Sequence, residues 1–144
     1  MSRAFQSLVL AGVLALFSTV AFSSTIIEKP INFSDYKGKW VVISYWATWC
    51  SICMGEIPEL NAFYKAHTND VVMFGFNYDD DGNLSKHIQQ SGVAFPTLRH
   101  DPKGHFKLGR IRGLPTMLII GPDGGLKHVL TGSQSRQDIE NALR

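Results

Sequence analysis

The sequence predicts an α/β fold in which a central mixed sheet is flanked by helices. Apolar runs rich in β-branched and aromatic residues alternate along the chain with stretches of helical spacing. The last two apolar runs are separated only by a short Gly/Pro/Asp turn, which predicts an antiparallel hairpin at the end of the sheet. The length of 144 residues, with 44% hydrophobic and 18% charged residues, indicates one globular domain.

The first half of the sheet is predicted from two runs without polar alternation. Residues 40–47 (WVVISYWA) and 71–78 (VVMFGFNY) are too apolar for a half-exposed strand and are typical of central strands covered on both faces. Between them, residues 54–67 place Ile57, Leu60 and Phe63 at helical spacing. This order predicts a strand, a helix and a second strand.

The second half is predicted from shorter signals. The remaining predicted elements are a helix at 83–91 ended by Gly92, strands at 117–120 and 127–130, and a terminal helix at 133–143. There are no repeats and no internal linker, and only residues 23–30 are typical of a flexible lead-in.

The N-terminus has the pattern of an export signal. Arg3 precedes an apolar stretch at 8–17, and small residues follow around Ser23 and Ser24. We predict that residues 1–24 are a signal peptide and that residues 25–144 form the exported domain, with an uncleaved membrane anchor as the alternative. The apolar run is shorter than the roughly 20 residues that a spanning helix needs. We therefore expect the domain to be periplasmic, or anchored on the outer side of the membrane, where disulfides are permitted.

Composition and charge exclude several function classes. The net charge of +2 comes from scattered basic residues, so we expect no nucleic-acid partner. The chain has no Gly-rich phosphate loop. Residues 77–82 (NYDDDG) begin like a calcium loop, but its twelfth position is Ile88 instead of a bidentate glutamate, which predicts a plain acidic loop.

Cys50 and Cys53 are the only cysteines, and their CxxC spacing limits their use. A disulfide between them closes a very small loop, so it stabilises the fold little. Structural zinc needs four ligands, and the five histidines show no suitably spaced pair. We expect no metal site, and we expect the histidines to be solvated surface residues. A working dithiol is the favoured interpretation.

The predicted elements place the two cysteines between a strand and a helix. Unsatisfied amides and the dipole at a helix N-terminus favour a thiolate, so Cys50 should be more acidic than a free cysteine, whose pKa is about 8.5. Cys53, one turn deeper, lies within bridging distance. We predict that Cys50 is the nucleophile and that Cys53 resolves the mixed disulfide.

The segment WATWCSICMGEIP resembles the active-site motif W-x-x-W-C-x-x-C-x-x-E-x-P of exported thiol-disulfide oxidoreductases of the TlpA/ResA/DsbE type. These proteins form a branch of the thioredoxin superfamily, so the resemblance implies a thioredoxin-like fold. A second segment, IRGLPTMLIIGPDGGL, is similar to the segment of that fold that opens a strand with G-x-P-T. Two motifs about 60 residues apart are far more specific than a single CxxC pair.

The resemblance also implies a substrate-binding surface. It implies that the Leu114–Pro115 bond is cis and lies against the dithiol, and that the backbone of Leu114 pairs with a bound polypeptide. Trp49 is expected to flank the nucleophile. Glu56 has two interpretations of equal weight: a carboxylate that exchanges protons with the thiols, as in the family, or an early-turn acid that only complements the helix dipole.

Two departures from the family pattern leave the redox poise open. Thioredoxins carry a buried aspartate where this chain has Ser44, and the family often has proline where this chain has Ile52. Residues between the cysteines tune the relative stability of thiolate and disulfide. The poise of this dithiol therefore does not follow from the resemblance.

The interpretation is an exported thiol-disulfide oxidoreductase. The resemblance implies that it reduces disulfides of exported proteins, including apocytochrome c during cytochrome c maturation. Its expected partners are protein disulfides and a membrane-embedded thiol reductant, and no cofactor beyond the dithiol is expected. We expect a monomer. Two alternatives stay open: an oxidase or isomerase of exported proteins, and a copper- or haem-handling binding protein on the same scaffold.

Overall fold

The computed structural model describes residues 24–144, so the predicted signal peptide lies outside the described residues apart from Ser24. The elements are strands β1 (Ile26–Ile27), β2 (Trp40–Trp46), β3 (Val71–Asn77), β4 (Thr97–Leu98), β5 (Thr116–Ile120) and β6 (Leu126–Thr131), and helices α1 (Ser51–Ala66), α2 (Leu84–Ser91) and α3 (Arg136–Ala142). Short 3₁₀ helices lie at Phe33–Tyr36 and Pro102–Phe106.

The six strands form one mixed sheet in the order β1-β4-β3-β2-β5-β6. The pairs β1·β4, β4·β3 and β3·β2 are parallel, whereas β5 is antiparallel to both β2 and β6. The predicted α/β architecture and the terminal hairpin are confirmed. Strand β2 runs towards α1, and β5 runs the opposite way. The last residues of β2 and the first residues of β5 therefore lie side by side at the same end of the sheet, where Tyr45 pairs with Thr116.

Each face of the sheet carries its own hydrophobic core. Residues of α1 and α3, including Ile57, Phe63 and Ile139, pack with Val42 and Met117 on one face. The opposite face is covered by the first 3₁₀ helix and by the segment at 106–111. All of β2 after Trp40 is buried, as the unbroken apolar run predicts.

Several boundaries differ from the predictions. Ile26 and Ile27 are not a flexible lead-in, because they pair with β4 at the sheet edge. The terminal helix begins at Arg136 rather than at 133, since Ser135 and Asp138 form a capping box there. Helix α2 agrees with its prediction, with Asn83 as N-cap and Gly92 in the left-handed region at its end.

Across residues 24–144, no helix is both long and apolar enough to span a membrane.

Candidate active site

The cysteines lie at the junction between β2 and α1. Cys50 is the N-cap of α1, and its Sγ accepts a hydrogen bond from the backbone N–H of Cys53 at 3.2 Å. The two residues form a disulfide with their Cα atoms 5.2 Å apart. An amide aimed at Sγ, with the helix dipole behind it, stabilises negative charge on Cys50. The predicted position at a helix N-terminus is confirmed.

The two cysteines differ in solvent accessibility. Cys53 is fully buried, whereas Cys50 retains 8% exposure. Cys50 is thus largely buried, but it is the more accessible cysteine of the pair. Trp49 and Ile52 are 68% and 57% exposed and stand beside it at the surface. Both side chains therefore present exposed apolar surface close to Cys50 in the chain.

The Leu114–Pro115 segment lies close to the same place. The peptide bond is cis, as the resemblance implies, and Pro115 is buried. Leu114 packs against the hydrophobic cluster that contains both cysteines. The hydroxyl of Thr116 donates to the carbonyl of Gly113 at 2.7 Å, which closes a turn around Leu114 and Pro115. The CxxC motif and the G-x-P-T motif therefore lie at the same end of the sheet.

Glu56 is buried with 7% exposure, three residues after Cys53 in α1. Its Oε2 accepts a hydrogen bond from the backbone N–H of Gln134 at 3.2 Å. Burial raises the pKa of Glu56 above its usual value, although hydrogen bonds from the Ser133 side chain and the Gln134 backbone oppose the shift. The interpretation of Glu56 as a dipole-complementing early-turn acid is wrong, because the side chain is buried beyond the first turn and bonded to another loop.

A polar cluster beside the site was not predicted. His87 is buried, with 4% exposure, and its ring nitrogens lie 3.0 Å from Asn77 Oδ1 and 3.2 Å from Asp81 Oδ2. The expectation that all histidines are solvated is thus wrong for His87. Asp79, in the same acidic loop, binds Thr48 of the active-site loop. The three consecutive aspartates after an apolar strand were the available signal.

Ser44 is also buried, at 1% exposure, on the central strand. It occupies the position at which the resemblance to thioredoxins would place a buried aspartate. A serine hydroxyl does not ionise in the accessible pH range, so Ser44 cannot take up and release a proton for the dithiol as a carboxylate does.

The sequence profile of the AhpC/TSA family matches residues 18–129. The chain belongs to the AhpC/TSA family. The chain is also similar to thiol-disulfide oxidoreductases named ResA. The protein from Geobacillus kaustophilus (strain HTA426) is 30% identical over 114 residues, covering 78% of this chain and 66% of the relative. The protein from Bacillus thuringiensis (strain Al Hakam) is 31% identical over 120 residues, covering 81% and 68%. The chain thus spans about two thirds of the length of these relatives.

Solved structures agree on the architecture. A thiol:disulfide interchange protein of the thioredoxin family from Chlorobium tepidum TLS superposes with a TM-score of 0.65 at 24% identity, covering 80% of this chain and 84% of that one. StoA from Bacillus subtilis gives a TM-score of 0.59 at 24% identity, covering 74% and 83%. The predicted thioredoxin-like fold and the resemblance to ResA-type proteins are confirmed. The family membership and the Cys50–Cys53 pair together support thiol-disulfide redox chemistry.

Proposed function

We propose that this AhpC/TSA family member is a protein thiol-disulfide oxidoreductase that reduces disulfides of exported proteins. One observation carries the proposal: Cys50 caps a helix and receives the N–H of Cys53, while Cys53 lies within bonding distance and is shielded from solvent. This arrangement favours a thiolate on the accessible sulfur and keeps the second sulfur for intramolecular attack. The ResA-type relatives add support.

The proposed reaction has two exchange steps. The thiolate of Cys50 attacks one sulfur of the substrate disulfide, whose S–S bond breaks; the other sulfur leaves as a thiolate and takes up a proton. Cys53, after losing its proton, then attacks Sγ of Cys50 and expels the remaining substrate thiolate. Two electrons pass from the protein to the substrate, and the Cys50–Cys53 disulfide is the oxidised product. The two thiols supply all the redox chemistry, so the reaction needs no further cofactor.

In this proposal, Glu56 accepts the proton of Cys53 before the second step. Both residues are buried, and Glu56 follows Cys53 by three positions on α1. A carboxyl whose pKa is raised by burial is a better match to a thiol than an ordinary carboxyl is. Its hydrogen bond to Gln134 fixes the carboxylate instead of leaving it to solvent.

Trp49, Leu114 and Pro115 form the proposed substrate-binding surface. Trp49 supplies exposed apolar area beside the nucleophile. Leu114, next to the buried Pro115, is proposed to pair its backbone with an extended segment of the substrate. None of the three residues takes part in the exchange of electrons.

The cellular setting of the proposal follows from the N-terminal pattern. The protein is exported to the periplasm, or held outside the membrane by residues 1–24, and works there as a monomer. A membrane-embedded thiol reductant returns it to the dithiol state, and apocytochrome c is among the proposed substrates. The export pattern supports the proposed location, and the ResA-type relatives support the thiol-disulfide chemistry.

The direct test is turnover of a disulfide-bonded protein substrate by the protein, with an excess of dithiol as electron source. The wild type should accelerate reduction, and Cys50→Ser should abolish the acceleration. Cys53→Ser should only lower it, because the excess dithiol must then resolve the mixed disulfide from solution. The matched control is Ser85→Ala, because it replaces an exposed serine on α2, outside the CxxC segment, and leaves both thiols in place. Acceleration that survives Cys50→Ser would overturn the proposal.

A further inference from the structure

A groove of about 190 Å³ lies between the segment at 108–112 and strand β6. Arg110 and Arg112 line one side, and Val129 and Thr131 of β6 line the other, with Thr116 also contributing. Strand β6 is the last in the sheet order, so its outer edge pairs with no other described strand. Val129 is 45% exposed although it lies in the middle of this strand.

The groove adjoins the proposed substrate-binding surface. Arg112 and Thr116 lie on either side of the Leu114–Pro115 bond in the chain, and Thr116 pairs with Thr131. Leu114 contacts the cluster that holds Cys50 and Cys53. The proposed pairing site at Leu114 is therefore two residues from each of two groove-lining residues, Arg112 and Thr116.

The charge of the groove is one-sided. Residues 102–122 contain no aspartate or glutamate, although they include Lys107, Arg110 and Arg112. Both arginines are exposed, and no hydrogen bond or ion pair joins either guanidinium to another residue within 24–144. Elsewhere on the described surface, Arg99 and Arg136 are bound to Glu28 and Glu140. The two groove arginines thus keep their donors for a ligand.

We propose that this groove binds an acidic segment of the substrate protein next to the disulfide that Cys50 attacks. The inference rests on the proposed function and adds the substrate class to it. A guanidinium presents a planar fork of donors that matches a carboxylate, and two of them on one wall select glutamate or aspartate over lysine. The exposed Val129 on the facing wall covers the aliphatic part of the entering side chains. Specificity then comes from charge beside the dithiol rather than from the dithiol itself.

The test uses three synthetic peptides, each with one intramolecular disulfide, that differ only in three flanking residues: Glu, Gln or Lys. The rate constant for oxidation of the reduced protein by each peptide is measured at low ionic strength. The Glu peptide should react about three- to tenfold faster than the Gln peptide, the range that two surface ion pairs give, and the Lys peptide should react more slowly. The preference should fade in about 0.5 M salt because exposed charges are screened.

The decisive variant is Arg110→Gln/Arg112→Gln, which should remove the preference for the Glu peptide over the Gln and Lys peptides. Its control is Lys29→Gln/Lys86→Gln, which removes two exposed positive charges, one beside the opposite sheet edge and one on α2, and should keep the preference. Equal rates with all three peptides would overturn the acidic-substrate inference and leave the proposed function standing. Failure to react with any peptide would instead contradict the proposed function.

A binding measurement tests the groove independently of the redox chemistry. A fluorescent Glu peptide without cysteine should bind the wild type more tightly than the corresponding Lys peptide does, as measured by anisotropy. Equal affinities would overturn the inference whatever the redox result. Concentration-dependent self-association that the double arginine variant removes would also overturn it, since the groove would then be an interface between two copies.

Discussion

Asp79 accepts two hydrogen bonds from Thr48, one from its backbone N–H at 2.8 Å and one from its hydroxyl at 2.6 Å. Thr48 stands two residues before Cys50, whereas Asp79 lies in the loop after β3. The amide of Asn77 donates a third hydrogen bond to the same carboxylate at 2.7 Å. The loop that carries the nucleophile is therefore fixed to its neighbour by one carboxylate.

The variant Thr48→Val should destabilise the protein by about 1–2 kcal/mol, because it removes a hydroxyl donor from a charged acceptor while keeping the side-chain volume. Burial opposes ionisation of Asp79, but the hydrogen bonds from Thr48 and Asn77 outweigh it and lower the pKa of Asp79. The hydroxyl bond therefore stabilises the fold fully above the ordinary aspartate pKa of about 4 and is weakened as the pH falls through the lowered value.

Urea unfolding of the wild type and Thr48→Val is compared at neutral pH and at an acidic pH below the lowered pKa of Asp79, which is located by titrating the folded protein. The stability gap should shrink in acid. Thr48→Ser, which keeps the hydroxyl, is the control and should lose less than about 1 kcal/mol. A gap of the same size at both pH values would show that the carboxylate of Asp79 is not the acceptor that matters.

The variant Glu56→Gln should gain stability relative to the wild type as the pH rises. Burial raises the pKa of Glu56, so the folded protein holds this proton more tightly than the unfolded chain does. The resulting stability is complete below the unfolded pKa, about 4.3, and is lost as the pH rises through the folded value. Glutamine is neutral at every pH, so the Glu56→Gln variant does not lose stability in this way as the pH rises.

Unfolding free energies of oxidised wild type and Glu56→Gln between about pH 4 and pH 8 test the point. The matched control is Glu59→Gln, since Glu59 is an exposed residue on the same helix. Its stability curve should run parallel to that of the wild type. If the curve of Glu56→Gln also runs parallel, burial does not govern the ionisation of Glu56.

The variant Cys53→Ser should trap a mixed disulfide between Cys50 and a disulfide-bonded substrate. Without the buried Cys53 thiol, the second exchange step has no attacking group, so the covalent complex accumulates. Non-reducing electrophoresis and mass spectrometry identify the complex and the linked cysteine. Cys50→Ser is the control and should yield no complex; a complex formed through Cys53 would reverse the two assigned roles.

Two glycines provide a matched pair for packing. A Cβ on Gly75 of β3 would lie 2.9 Å from Phe95 Cε2 and 2.9 Å from Trp46 Nε1, whereas a Cβ on Gly55 of α1 meets nothing within 4 Å. Gly75→Ala should therefore cost about 1–3 kcal/mol through overpacking. Gly55→Ala should stabilise α1 by up to about 1 kcal/mol because alanine favours a helix interior. Thermal unfolding distinguishes the two; a stable Gly75→Ala variant would mean that the sheet face is loosely packed.

The sequence predicted the parts of the molecule whose signals are local. The unbroken apolar run at 40–47 became the buried central strand, and the CxxC pair after it became the cap of α1. The G-x-P-T segment correctly predicted the cis bond at Leu114–Pro115 through its resemblance to a known family. In each case a few neighbouring residues contain the whole signal.

The missed features depend on residues far apart in the chain. Strand β1 has only two residues and exists because Ile26 and Ile27 pair with β4, about 70 positions away. The burial of His87 depends on α2 packing beside the acidic loop, and that of Glu56 depends on the loop before α3. Local composition predicts solvent exposure for such residues, and tertiary contacts reverse it.

The midpoint potential of the Cys50/Cys53 couple tests most directly whether this protein is a reductant. It is measured by equilibration with dithiothreitol or glutathione buffers followed by thiol trapping and mass spectrometry. The account predicts a value near that of thioredoxin, about −270 mV, at which the dithiol delivers electrons to protein disulfides. A value near about −120 mV, as in a strong dithiol oxidant, would contradict it and assign the protein to disulfide formation instead.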